Sequence, residues 1–96
     1  VQNTETVVQF PSRTEAVADL RCPEVSRRRI CDLIWAAFPG RSAHAVSQRA
    51  SAVMGRDART IRSWMSGDTT PSWTEVGIIA AYAGADKGMR ILFGAR

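Results

Sequence analysis

Four polar side chains, Arg59, Arg62, Ser63 and Ser66, fall close together along the chain, interleaved with Ile61, Trp64 and Met65. On a helix counted from Asp57 at about 100° per residue, the polar set occupies roughly 140–240° and the apolar set roughly 340–80°. Such a helix buries an isoleucine and a tryptophan while two arginines and two hydroxyls face outward. An arginine fork donates two hydrogen bonds to O6 and N7 of a guanine, so the chemistry on offer is recognition of base edges in a major groove. Amphipathicity alone is common to surface helices. The spacing to the neighbouring elements has to carry the rest.

Other chemistries find little support. One histidine, His44, and two cysteines, Cys22 and Cys31, cannot supply four soft zinc ligands at finger-like spacing. They make no disulfide framework either, and reduced thiols are expected. No nucleophile sits in a recognisable signature, no glycine loop has a phosphate-cradling pattern, and the acids are scattered rather than paired. No enzyme, no metal and no cofactor is expected. The longest nearly uncharged stretch, 76–85, is about half a membrane span, and nothing resembles a secretory signal, so no membrane partner and a cytoplasmic location are expected.

Charge points the other way. The net charge of +4 is concentrated: residues 25–66 carry eight arginines against two acids, while residues 1–24 sum to −2 and residues 67–96 to zero. A positive field gathered in one segment attracts a polyanion and displaces its counterions on contact.

The elements that must position these residues are legible from caps and periodicity. At 96 residues, 45% of them hydrophobic, the chain suits one folded domain with a modest core. Residues 1–11 read as a tail. Ser12 to Glu15 is a capping-box pattern, followed by Val17 and Leu20 at helical spacing, which predicts a short helix near 13–20. Pro23 opens a helix to Phe38 whose apolar face is Ile30, Leu33, Ile34, Ala37 and Phe38. Pro39-Gly40 stops it. A helix from about Ser42 aligns Val46, Ala50, Val53 and Met54 and ends at Gly55. Asp57 caps the arginine-bearing helix and Gly67 closes it. Ser72 to Glu75 is a second capping box, with Pro71 placed to staple against Val76. That helix aligns Val76, Ile79, Ala80 and Ala83 before Gly84, and a last one spans about 86–93. No segment alternates with period two for long, so the fold class is all-α, a compact bundle of about five helices.

The stretch from Ala50 to Ser72 resembles the lambda-repressor-like, Cro-type helix-turn-helix family. That family places a small residue four before a glycine, an Ile or Val six after it, a Trp three later, then Gly and Pro leading into the next helix. Ser51, Gly55, Ile61, Trp64, Gly67 and Pro71 hold those places here. The flanking helices extend the likeness over roughly residues 24–93. The chain then divides into a tail with a possible short helix over 1–22 and a helix-turn-helix DNA-binding domain over 23–96, and the resemblance implies a bacterial or phage-derived transcriptional regulator acting on double-stranded DNA at the nucleoid. The base-reading positions fall on Asp57, Ala58, Arg59, Arg62 and Ser63. Ser47 and Gln48 correspond to residues that touch the DNA backbone, and Arg49, Arg56 and Ser66 join them as backbone candidates.

Two features depart from the family. Arg56 stands where an apolar residue is usual, reaching either a phosphate or solvent. The helix before the turn also begins early, near Ser42. Asp57 has a stronger claim as a cap than as a base contact, since both need the same oxygen. Arg27, Arg28 and Arg29 fan over about 200° and cannot all face one partner, so a solvated face is the default reading. Trp35, Trp64 and Tyr82 are expected in or at the edge of the core, Trp73 partly exposed, and His44 on the surface. Ile91, Leu92 and Phe93 are one apolar residue too many for a terminal helix face, and the third suits a subunit contact. Dimerisation on half-sites one helical turn apart is the family habit. The competing readings are a domain of the same shape that binds a protein such as an RNA-polymerase subunit, and a DNA-packaging or recombination accessory protein.

Overall fold

The computed structural model describes residues 8–96. Six helices and no strand are present among them: α1 Arg13–Arg21, α2 Pro23–Ala37, α3 Ala43–Met54, α4 Ala58–Ser66, α5 Trp73–Ala83 and α6 Ala85–Phe93. The all-helical expectation holds, and the boundaries lie where the caps put them. Ser12, Ser42, Asp57 and Ser72 each accept a hydrogen bond from a free amide in the first turn of the helix that follows. The count is six rather than about five, because the segment near 13–20 is a full helix.

α2 is the axis of the molecule and packs against each of the other five helices. Its apolar face is wide enough to do so: Leu33, Ile34 and Phe38 are buried, with Ile30, Trp35 and Ala37 packed around them. Val46 and Ala50 of α3, Ile61 and Trp64 of α4, and Ile79 of α5 complete the core. α3 otherwise packs chiefly on α4, and α5 on α6. The α5–α6 crossing is close because Gly88 is buried there; a Cβ at that position would stand 2.8 Å from the Ala80 carbonyl oxygen and 2.9 Å from its Cβ.

α1 is attached differently, since it buries no residue at all. Arg29 of α2 holds it. Its guanidinium, 16% exposed, pairs with Asp19 at 2.9 Å and also donates to the Leu92 carbonyl at 3.3 Å, tying α1, α2 and α6 in one knot. One of the three consecutive arginines is therefore a structural clamp and not a solvated side chain. Of the tail expected over 1–11, residues 1–7 lie outside the described residues. Gln9 is not loose: it exchanges backbone hydrogen bonds with Arg96 at 3.1 and 2.8 Å.

Three further expectations need correction. Val53 is exposed, because α3 turns that edge away from the core, so the stripe is Val46, Ala50 and Met54. Tyr82 is 56% exposed, although its ring packs on Phe38 with centroids 5.4 Å apart. Trp73 is 86% exposed, far more than its place in a first helical turn implied.

Two glycines on neighbouring helices test the packing account. Gly88→Ala must push α6 from α5 and should cost about 1–3 kcal/mol. Gly77→Ala, where a Cβ meets nothing within 4 Å, should stabilise by about 0.5–1 kcal/mol. Urea unfolding of both variants checks the pair, and equal effects would contradict the close approach at Gly88.

Candidate nucleic-acid interface

The arginine-bearing helix is held at both ends. Gly55 follows α3 at φ 70°, a left-handed conformation that lets the chain reverse within three residues into α4. Asp57 then caps α4, its Oδ1 accepting from the Arg59 amide at 3.0 Å. At the far end the aliphatic stem of Arg27 lies against Gly67, where any Cβ would stand. Beyond it, the amides of Asp68 and Thr69 donate to the Ser63 carbonyl at 3.0 and 3.3 Å. Between these ends Ile61 and Trp64 are buried against α2 and α3.

The outward face has the composition expected of it. Arg59 and Arg62 are exposed, and among the described residues neither has an ion-pair or hydrogen-bond partner for its guanidinium. Ser63 is half-buried, and its Oγ accepts from the Thr69 hydroxyl at 2.9 Å. Ser66, exposed, donates to the Ser63 carbonyl at 3.1 Å. Ala58 is half-buried beside the cap. Asp57 spends one carboxylate oxygen on capping, as its stronger claim required.

The expected backbone set divides. Gln48 is exposed on α3, and Arg49 is exposed but donates to the Pro39 carbonyl at 2.9 Å, bracing the loop before α3. Ser47 is 0% exposed, and its hydroxyl donates to the His44 carbonyl at 2.8 Å. Its side chain has no surface to offer a phosphate. α3 packs on α4 with the side that carries Val46, Ser47 and Ala50 turned inward, so Ser47 lies in the core.

Arg56 resolves in a way that neither reading of it foresaw. It forms an ion pair with Glu75 of α5, with side chains 55% and 11% exposed respectively. The sequence pattern marks Glu75 only as the acid of a capping box. Its amide does donate to Ser72 Oγ at 3.3 Å, while its carboxylate binds the arginine next to the turn glycine. The pair thus joins the α3–α4 turn to the start of α5. A sequence separation of 19 residues leaves no local signal for it.

Elsewhere the structure offers little chemistry. Cys22 and Cys31 are free thiols. Burial, and then the Asp32 carboxylate, push the Cys31 thiol up from its ordinary range, against a hydrogen bond with Trp35 that lowers it. A raised pKa leaves less thiolate at neutral pH, the opposite of nucleophile activation. No group of three or more His, Cys, Asp or Glu side chains among the described residues is placed to hold a metal ion. No helix among them is long and apolar enough to cross a membrane. Comparison with protein-family models, with curated proteins and with solved structures finds no match to the chain.

The ion pair gives the site its test. Arg56→Ala should destabilise the domain by about 1–3 kcal/mol, because it strands a nearly buried carboxylate. Arg56→Ala with Glu75→Ala should recover part of that loss. A double-mutant cycle by chemical denaturation measures the coupling, and a coupling near zero would show the pair to be incidental.

Proposed function

We propose that α3, the Gly55 turn and α4 form a helix-turn-helix of the lambda-repressor-like kind that binds double-stranded DNA, with α4 as the helix that enters the major groove. On this reading the chain is a bacterial or phage-derived transcriptional regulator working at the nucleoid. It has no catalytic role. The observation that carries the reading is the exposed, unpartnered state of Arg59 and Arg62 on a short helix fixed at both ends. A groove-reading helix needs donors that are not already spent, and a mount that does not move when they engage.

Three features support it further. The net positive charge of residues 25–66 lies in the elements that include this helix. Gly55, Ile61, Trp64 and Gly67 do the work the resemblance assigns them: turn, two core anchors and a stop. Gln48 and Arg49 are exposed near the same joint as backbone contacts. Arg56 contributes through the turn it braces, and Ser47 drops out. α1 stands outside this unit, as an appendage clamped by Arg29.

A protein-binding domain of the same shape is the competing reading, and the exposed Trp73 favours it. Trp73 borders an apolar cleft of about 200 Å³ with Leu20, Ile30, Val76, Leu92 and Phe93.

Fluorescence anisotropy with a pool of randomised duplexes at two salt concentrations, followed by sequencing of the bound fraction, separates the readings. Log affinity should fall steeply with log salt, because several arginines displace counterions. Salt-sensitive binding without an enriched motif supports a packaging role, and no binding at low salt supports the protein partner. Arg59→Ala and Arg62→Ala should each cost about 1–3 kcal/mol and relax preference at one base pair. Uniform weakening across all sequences would make that arginine a phosphate contact.

A further inference from the structure

Between Arg59 and Ser63 the hydrogen-bond capacity left on the outer face of α4 is mostly donor, while Ser66, a turn further on, has given its proton to the Ser63 carbonyl and keeps acceptor lone pairs. Each guanidinium carries five N–H donors and no acceptor. Arg59 and Arg62 have none of theirs committed among the described residues. Ser63 has one lone pair taken by the Thr69 hydroxyl, and its own proton is uncommitted. Asp57, the one acid on this helix, has Oδ1 engaged by the Arg59 amide. Its remaining oxygen lies at the end of the helix, outside the span from Arg59 to Ser63.

A donor face is complementary to acceptor edges. In the major groove only guanine presents two adjacent acceptors, O6 and N7; adenine sets a donor beside its N7, and thymine offers O4 alone. A bidentate arginine therefore selects guanine over the other three bases. Arg59 and Arg62 lie three residues apart, so they are separated by about 4.5 Å along the helix axis and by roughly 60° around it. Successive bases on one strand are about 3.4 Å apart. The two forks thus address neighbouring steps and not the same base pair.

We infer that the DNA read by α4 contains two adjacent guanines on one strand, one held by Arg59 and the other by Arg62. This rests on the major-groove reading of α4 above. Ser63, next to Arg62, donates to an acceptor at the flanking position.

The test is selection from the randomised duplex pool with the full chain, followed by titration of the winning duplex. The bound fraction should be enriched for a GG step. Replacing either guanine by 7-deazaguanine, which removes the N7 acceptor but keeps O6 and Watson–Crick pairing, should weaken binding roughly 2- to 12-fold, the range of one hydrogen bond. Arg59→Lys should weaken the preference at one guanine and Arg62→Lys at its neighbour, since a flexible point charge replaces a planar fork, with the salt dependence retained because the charge is kept. Both arginines are exposed, and circular dichroism of the variants confirms that the helices persist. A salt-sensitive enriched motif without a GG step would overturn this inference and leave the helix-turn-helix reading intact. Tolerance of 7-deazaguanine at both positions would do the same. Absence of any duplex binding at low salt would remove both.

Discussion

α4 cannot exist by itself. Nine residues are fewer than an isolated helix needs in water, because nucleation fixes several residues before the first hydrogen bond repays them. The helix persists because Ile61 and Trp64 are buried against α2 and α3, and the rest of the molecule is arranged around that burial. α2 supplies the apolar wall. α3 approaches closely enough to share the core through Ala50, and the left-handed Gly55 allows the chain to return within reach. Once the inner face is committed to the core, the remaining residues of α4 are left on the outer side of the helix. The position of Arg59 and Arg62 is a by-product of where Ile61 and Trp64 must go.

Rigidity at the ends follows from different physics. Hydrophobic burial is non-directional and would permit α4 to roll. Hydrogen bonds and ion pairs are directional, and they cluster where the helix begins and stops. The Asp57 cap, the Arg56–Glu75 pair, and the Asp68 and Thr69 amides on the Ser63 carbonyl restrict that rotation. The partition is economical: apolar contacts fix the depth of the helix, and polar contacts fix its angle.

What was legible in the sequence followed from locality. Ser12, Ser42, Asp57 and Ser72 announce helix starts because a cap acts within three residues, and Gly55 and Gly67 announce stops for the same reason. The stripes on α2 and α4 were readable because a helical period repeats within a dozen residues. The failures involve distance or rotation. Arg29 reaches Asp19 and Leu92, the latter 63 residues away, and Arg56 reaches Glu75 across an intervening helix. Nothing near either arginine distinguishes a clamp from a solvated side chain. Ser47 and Val53 were misplaced by the rotation of α3, which depends on its neighbours and not on its own pattern. Of the candidate site, the exposure of Arg59 and Arg62 was legible and the braces that hold the turn were not.

The mode of attachment of α1 has a dynamic consequence. α1 buries no side chain completely and gains only the partial cover of residues such as Leu20 from the core, so its free energy of opening leans on the Arg29–Asp19 pair and a few backbone and hydroxyl bonds, among them Ser26 to the Leu20 carbonyl at 2.6 Å. Such a unit opens without the remainder of the domain. Its amides therefore exchange with solvent deuterium through local excursions, while those of α2 exchange only when the whole bundle unfolds. On these contacts the chain should open as two units of unequal stability, with Arg29 as the latch between them.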